Sequence, residues 1–506
     1  MLSIIPSATL HGVDGRPVSV EVHVSGGFPG FTVVGLPDAA VRESRDRVRA
    51  ALLSSGVSWP AQRMTVNLAP SGVRKGGAGL DLPIAVGLLV AMGELPASVV
   101  DGLAFLGELG LDGSLRRVPG IVSLVGCLGL SEVVVPTSCA HEACLVAGTR
   151  VRSAGSLSDL LMVLRGGKAW PEMPPSPIDD GRRCDQPDLG DVIGQPVGRR
   201  ALEISAAGGH HLLMVGPPGS GKTMLANRLP GLLPPLAPAD AMEVSRVHSA
   251  AGLDLGNGRL IDRAPFRAPH HGASEVSIVG GGSSWLRPGE ISLAHCGVLF
   301  LDELGEFPSR VLDMLRQPLE EGVIRLARAR GTATMPARFL LVAAMNPCPC
   351  GEGSLPGRCR CSDTARLRYS RRISGPLLDR FDLAVPMARP EMAALLSPGK
   401  VEESTGAVAS RVAGARLAAL VRGVRWNADI PAQALDRVAP LSDEASALLQ
   451  RRLYDGSLSA RGLHRVRRVA LTIADLDGSG PPIEACHLAE ALALRAAHSA
   501  VLLERR

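Results

Sequence analysis

Apolar and polar positions along the chain fall into three regimes. Over residues 1–165, short alternating or wholly apolar runs (VSVEVHV, FTVVGL, RMTVNLA, SEVVVP) are interleaved with helix-spaced stretches such as DAAVRESRDRVRAALLSS and DLPIAVGLLVAMGEL. That pattern predicts an α+β or α/β domain of its own. Residues 166–188 read GGKAWPEMPPSPIDDGRRCDQPD, and their Pro, Gly and charge predict a linker. Three β-like runs, HLLMV, GVLFL and FLLVAAM, then mark an α/β core over 189–390, closed by Pro386 and Pro390. Beyond residue 391, apolar positions recur every three or four residues in ASRVAGARLAALVRGV, DEASALLQRRLY, GLHRVRRVALTIADL and EACHLAEALALRAAHSAVLLE. This predicts a small helical bundle over 391–506.

At 506 residues the chain is too long for one core, so several domains are expected. With 46% hydrophobic and 20% charged residues it falls in the soluble globular range. Aromatics make up only 3%, so any grip on single-stranded nucleic acid rests on charge rather than base stacking. A net charge of +5 does not by itself indicate such a partner. The start MLSIIPSATL has no basic residue ahead of its apolar run, unlike a signal peptide. The uncharged runs Leu82–Gly93 and Val118–Ser131 are too short to span a bilayer, and a cytoplasmic protein without membrane partners is expected. Of ten cysteines, six are scattered singly (Cys127, Cys139, Cys144, Cys184, Cys296 and Cys486) and four are clustered.

Candidate chemistry concentrates in HLLMVGPPGSGKT, where an apolar strand runs into a glycine-rich loop. The spacing G-x-x-x-x-G-K-[ST] is met by Gly216, Pro217, Pro218, Gly219, Ser220, Gly221, Lys222 and Thr223. The glycines let consecutive N–H groups face a polyphosphate, and the helix opening near Lys222 adds its positive end. Lys222 is expected on the β- and γ-phosphates of ATP and the Thr223 hydroxyl on Mg²⁺. Downstream, VLFLDEL is a buried strand ending in two carboxylates, Asp302 and Glu303. Burying both costs desolvation unless they have a cation or a task; Asp302 is expected to help hold Mg²⁺ and Glu303 to polarise the attacking water.

The next strand, FLLVAAMNP, ends at Asn346, either a turn former or an amide that holds the lytic water. Arg380, in SGPLLDRFDL, is either half of an ion pair with Asp379 or Asp382, or an arginine finger. Arg461 opens a C-terminal helix that also carries Arg465, Arg467 and Arg468, and charge alone does not choose among them.

Together GPPGSGKT, LFLDEL, the strand-end Asn346, LLDRFD and the arginine helix resemble an AAA+ ATPase. More narrowly, APHHGASEVSIVGGG, RPGEISLAHCGVLFLDEL, QPLEEG and AAMNPCPCG resemble the magnesium-chelatase-related ComM (YifB) family over nearly the whole chain. The resemblance implies a P-loop core followed by a C-terminal helical lid, in a homo-hexameric ring with ATP between subunits. It matches Arg380 to the finger acting in trans and Arg461 to the second sensor. It implies a pore-facing β-hairpin near Val323 to Arg338, and a branch-migration helicase acting on DNA. Arg325, Arg328, Arg330 and Arg338 in that stretch suit phosphate contact without sequence readout. Two rival functions are a magnesium-chelatase-like metal-insertion motor and an ATP-gated protein scaffold or chaperone.

The N-terminal region resembles the Lon-protease-like domain of the same family. Lon-type proteolysis needs a Ser nucleophile and an activating Lys. The matching positions carry Ala78, in KGGAGLDLP, and Val122, in GSLRRVPGIVSL, so no peptidase activity is expected. The clustered cysteines Cys348, Cys350, Cys359 and Cys361 offer four thiolates within fourteen residues, suited to structural Zn²⁺, the alternative being a metal-free thiol loop. His270 and His271, adjacent in PFRAPHHGAS, receive no role.

Overall fold

The computed structural model describes residues 1–72, 74–173, 187–255, 258–282, 286–328, 331–353, 358–390, 402–456 and 458–495. Most of the expected linker, 174–186, lies outside them. The N-terminal region opens with strands β1 (Leu2–His11), β2 (Asp14–Ser25), β3 (Gly30–Val34) and β4 (Arg63–Ala69), arranged β1-β2-β4-β3. Period-two burial sets one face of this sheet: Val18, Val20, Val22 and Val24 of β2 and Met64, Val66 and Leu68 of β4 are buried. Against them packs the helix Asp81–Ala91, every residue of which is buried, as its uninterrupted apolar run predicts. A second layer holds β5 (Leu103–Phe105), β8 (Glu132–Pro136) and β9 (Arg150–Ala154) in parallel, with a short β6–β7 ladder (Glu108–Leu109, Leu115–Arg116) beside it.

The central sheet is all parallel, in the order β11-β14-β17-β10-β18. Its strands are β10 (Leu212–Val215), β11 (Phe266–Arg267), β14 (Val298–Leu301), β17 (Leu340–Met345) and β18 (Leu383–Pro386). Every residue of β14 and β17 is buried, which explains why both read as unbroken apolar runs rather than alternating ones. Because the strands are parallel, Val215, Leu301 and Met345 finish at one edge, where the sheet order doubles back. Two strands were not anticipated. β11 is too short to show a period, and Pro386, expected to close the domain, instead ends β18. Between these elements lie the ladder of β12 (Gly280–Gly281) with β13 (Arg287–Pro288) and the hairpin of β15 (Val323–Arg328) with β16 (Gly331–Pro336).

The C-terminal helices Thr405–Val421, Asp443–Tyr454, Ala460–Leu476 and Ala485–Ala493 bear out the expected bundle. They share one core cluster with the helix Pro196–Gly208 and with β10, β17 and β18. At their junction the Trp426 ring covers Gly209, where a Cβ would stand 1.6 Å from the ring. The N-terminal region is joined to the central one by Arg246–Asp14 at 2.9 Å and by Arg117, which bridges Glu142 (2.6 Å) and Asp254 (3.0 Å). Val13 enters the apolar cluster beneath the hairpin. Among the described residues no helix is long and apolar enough to cross a membrane.

Candidate active site

The glycine loop leaves β10 at Val215, and its first residue is fixed by space: a Cβ on Gly216 would lie 2.2 Å from the Met387 carbonyl oxygen. Gly219 and Gly221 have φ of 77° and 81°, the left-handed region open to glycine at little cost. The helix that follows is only five residues, Lys222–Ala226, so the anion-binding capacity lies in the loop N–H groups more than in a helix dipole. Lys222 is buried and its Nζ donates to the carbonyls of Gly216 (2.7 Å) and Pro217 (2.9 Å) and to Asn346 Oδ1 (3.3 Å). Burial lowers the Lys222 pKa while Asp302 and Glu303 pull it back up, which places both acids within electrostatic reach of the ammonium.

The Thr223 hydroxyl donates to Asp302 Oδ2 at 2.7 Å, and Asp302 Oδ1 accepts the Glu303 N–H at 2.9 Å. Hydroxyl and carboxylate are thus the oxygen pair expected to hold Mg²⁺ beside a triphosphate. Glu303 has φ 52° and ψ 48°; such backbone costs a non-glycine residue on the order of 1–3 kcal/mol and persists where surroundings over-determine it. These groups line one cleft of about 520 Å³, with Val192, Ile193 and Pro390 forming an apolar wall suited to a nucleobase. Four stretches far apart in sequence therefore converge, with Asn346 inside the cleft.

Arg380 takes neither partner weighed from sequence. It forms an ion pair with Glu320, while Asp382 is taken by Arg465 at 2.6 Å. It lines a separate cleft of about 530 Å³ together with Arg338, Arg425, Arg465 and Arg468. Burial, then the nearby Arg465, Arg461 and Arg316, lowers the Arg380 pKa, so Arg461 belongs to the same cationic neighbourhood. Within the arginine helix, Arg465 also donates to the Arg380 carbonyl (2.9 Å), Arg467 pairs with Asp436 (2.7 Å), and Arg468 donates to the Ile430 carbonyl (2.8 Å). Arg461 is exposed and forms no ion pair among the described residues.

The hairpin forms as expected, with Arg325 exposed and paired to Glu321 at 2.7 Å. Arg338 is a correction: it stands beyond the end of β16 and faces the arginine cleft. Arg330 and the side chain of Arg328 lie outside the described residues.

The four clustered cysteines converge, their sulfurs all within 4.8 Å of one another. Cys348 Sγ is 3.4 Å from Cys350 and 3.6 Å from Cys359, and Cys350 is 3.7 Å from Cys359. A tetrahedron with Zn–S arms of about 2.3 Å has an S···S edge of about 3.8 Å, so the donor set fits that ion. Burial pushes the Cys348 thiol up to about 12, whereas the backbone N–H groups of Glu352 and Arg360 bring Cys350 down to about 6. The turn abuts the glycine loop. A Cβ on Gly351 would stand 2.6 Å from the Pro218 ring, and Arg389 links Glu352 (2.5 Å) to the Pro218 carbonyl (3.4 Å).

In the N-terminal region Ala78 lines a cleft of about 570 Å³ with Asp38, Thr9, Arg117 and, from the central region, Arg287. Val122 is buried in the helix Ile121–Gly126. Three contacts were not foreseen: Lys75, fully buried and donating to the Pro70 carbonyl; Tyr369, partnered by the Asn346 backbone; and His271, beside Glu303. The last two join stretches that no local spacing connects.

A five-stranded parallel sheet with a phosphate loop after β10, paired acids after β14 and a polar amide after β17 defines a P-loop α/β domain of the AAA+ class. Comparison with known families narrows this. Residues 188–395 match the family described as magnesium chelatase, subunit ChlI; residues 20–138 match subunit ChlI of Mg-chelatase; and residues 402–495 match the ChlI C-terminal family. The chain is 44% identical over 501 residues to the uncharacterized protein YifB of Escherichia coli, covering 98% of this chain and 97% of that one. It is 43% identical over 500 residues to the competence protein ComM of Haemophilus influenzae, with coverage of 98% and 97%. Similarity to the magnesium-chelatase 38 kDa subunit of Cereibacter sphaeroides is 27% over 217 residues, 39% of this chain and 58% of that protein. The chain belongs to the magnesium-chelatase-related ComM/YifB family.

Proposed function

We propose that this protein is an ATP-hydrolysing AAA+ motor that works as a homo-hexameric ring on branched or single-stranded DNA. The observation that carries the ATPase reading is the convergence of Lys222, Thr223, Asp302 and Asn346 at one sheet edge, held by the contacts of 2.7 Å and 3.3 Å described above. On ATP binding Lys222 leaves its own loop carbonyls for the phosphates, and Thr223 and Asp302 hold Mg²⁺. When bound, that ion would supply neutralisation of the charge on the transferred phosphoryl group. Glu303 accepts a proton from the attacking water, and Asn346 orients that water.

Arg380 lines a cleft that holds no part of the glycine loop, with Arg461 within its electrostatic reach, which suits donation to the nucleotide of a neighbouring copy. The basic hairpin and full-length similarity to a relative named for competence support DNA as the partner. The four thiolates hold structural Zn²⁺, and the N-terminal region serves contacts rather than peptide cleavage.

Lys222→Ala is expected to abolish ATP binding in a fluorescent-nucleotide titration, and Glu303→Gln to retain ATP without turning it over. Normal turnover in either variant refutes the site. Anisotropy of a labelled four-way junction across a salt series tests the DNA partner: affinity falls steeply with salt if phosphates are contacted. Absence of salt-dependent binding favours the metal-insertion motor or the protein scaffold.

A further inference from the structure

The arginine cleft lies at the opposite edge of the sheet from the glycine loop. His211, Cys296, Phe339 and Asp382, which line it, each stand one or two residues before β10, β14, β17 and β18. No long element presents Arg380 there. It falls between the four-residue helix Gly375–Leu378 and the four-residue strand β18, so its aim depends on whatever holds the turn 379–382.

Every backbone N–H and carbonyl of residues 380–382 has a partner. The N–H groups of Arg380 and Phe381 donate to the carbonyls of Leu377 (2.9 Å) and Leu378 (3.1 Å), and that of Asp382 to the His211 carbonyl (3.0 Å). The carbonyls are taken by the C-terminal region. Arg465 Nη1 donates to that of Arg380 (2.9 Å), and Arg495 Nη1 to those of Phe381 (3.3 Å) and Asp382 (2.8 Å). The same Arg465 nitrogen donates to Oδ1 of the buried Asp382 at 2.6 Å, so one side chain clamps the turn at two points. Burial and then the neighbouring Arg465 lower the Arg380 pKa, a repulsion that Asp382 offsets as the counter-charge of Arg465. Without Arg465, the Asp382 carboxylate would lose its guanidinium partner and compete for Arg380 itself. Arg465 also lies one turn beyond Arg461 on the helix Ala460–Leu476, which ties that helix to the turn bearing Arg380.

We infer that Arg465 is a positioning residue for the cations that this protomer lends to its neighbour: it holds the backbone beneath Arg380, seconded by Arg495, and registers Arg461 against it. The inference rests on the proposed role of Arg380 at the nucleotide of the adjoining copy. The Arg380 guanidinium pairs with Glu320 in this protomer, so what the clamp fixes is the base from which it reaches. Both supports act through Arg380, and no covalent bond changes.

The test measures steady-state ATP turnover of the full-length protein, with ATP affinity read separately by fluorescent-nucleotide titration. Arg465→Gln is expected to lower kcat about ten- to a hundredfold, the size of effect that an ångström of misplacement produces, with ATP affinity unchanged. Arg465→Lys, whose one ammonium can donate to both the Asp382 carboxylate and the Arg380 carbonyl, recovers most of that loss. Mixed assemblies separate positioning from a general loss of structure. Arg465→Gln protein keeps an intact glycine loop, so mixing it with Lys222→Ala protein restores turnover beyond the sum of the two alone. Mixing it with Arg380→Ala protein does not, because no arginine face is then whole. If Arg465→Gln loses its melting transition, Arg495→Gln, which leaves Asp382 paired to Arg465, carries the same mixtures. A folded Arg465→Gln of wild-type kcat overturns the inference, as does an Arg465→Lys no better than Gln. Rescue by Arg380→Ala protein also overturns it, since the defect would then lie at the variant's own loop. The mixture of Arg380→Ala with Lys222→Ala separates the two levels. If it stays inactive, the shared site fails; if it recovers while Arg465→Gln with Lys222→Ala does not, only the positioning role fails.

Discussion

At Asp382 burial and ion pairing pull in opposite directions. Burial favours the protonated acid, but Arg465, together with His210 and His211, holds the carboxyl well below the usual carboxylate range. Breaking such a buried pair by neutralising one partner costs about 3 kcal/mol. Asp382→Asn is therefore expected to destabilise the protein by about that amount at neutral pH, read from urea denaturation. A carboxyl whose folded pKa is depressed contributes stability above its unfolded pKa of about 3.9, and that contribution is lost as pH falls below it. The gap between wild type and variant should accordingly be full at pH 7 and narrow below about pH 4. An unchanged gap at low pH would assign the loss to packing instead. Residues set by local spacing, such as Lys222 and Thr223, are legible in the sequence because one loop places them all. The partner of Arg380 was not, since Glu320 reaches it from a distant stretch while the nearby Asp382 is engaged by Arg465.

Between elements, the cysteine turn and the glycine loop are in direct contact. Gly351 has φ 79°, its N–H donates to the Cys348 carbonyl at 2.9 Å, and it leaves no space for a side chain against Pro218. Gly351→Ala combines backbone strain with that clash, and about 1–2 kcal/mol of it is expected to appear in the phosphate loop. This predicts an ATP affinity lowered by about tenfold in a nucleotide titration, with kcat less affected. Cys359→Ser is expected to abolish zinc binding, measured as metal per chain, and to lower the melting temperature. Zinc retained at wild-type stoichiometry would remove Cys359 from the ligand set. The strands at the heart of the sheet were legible from their apolar runs. β11 and β18 were not, because two residues carry no resolvable period and the terminal proline of β18 reads as a stop. The hairpin was legible for the opposite reason: buried Ile324, Leu326, Ala333 and Met335 alternate with outward positions along both strands.

Over the whole molecule, the cleft beside the glycine loop and the arginine cleft share no lining residue. In the proposed ring, such a protomer would present one half of a catalytic set on each of two faces. Arg380→Ala is expected to bind ATP normally and to hydrolyse none. Mixed with Lys222→Ala protein it should regain part of the wild-type turnover, because some seams then pair an intact loop with an intact arginine. Mixtures that stay inactive at every ratio would argue against a shared site. The succession of mixed α/β, parallel-sheet and helical stretches was legible from period. How the parts meet was not, because pairs such as Arg246–Asp14 and Arg117–Asp254 join surfaces whose residues look like ordinary solvated charge in sequence.

The indole seated on Gly209 has a mechanical corollary. Since the C-terminal helices and the central sheet draw on one apolar cluster, and a side chain at the crossing point would collide with Trp426, sliding one past the other would break buried packing. In the proposed ring, a protomer so keyed would turn as a solid wedge rather than opening like a jaw. Whatever displacement followed loss of the γ-phosphate would then surface where neighbouring protomers of that ring abut, and a bulky replacement at Gly209 should uncouple fuel consumption from movement before it unfolds the chain.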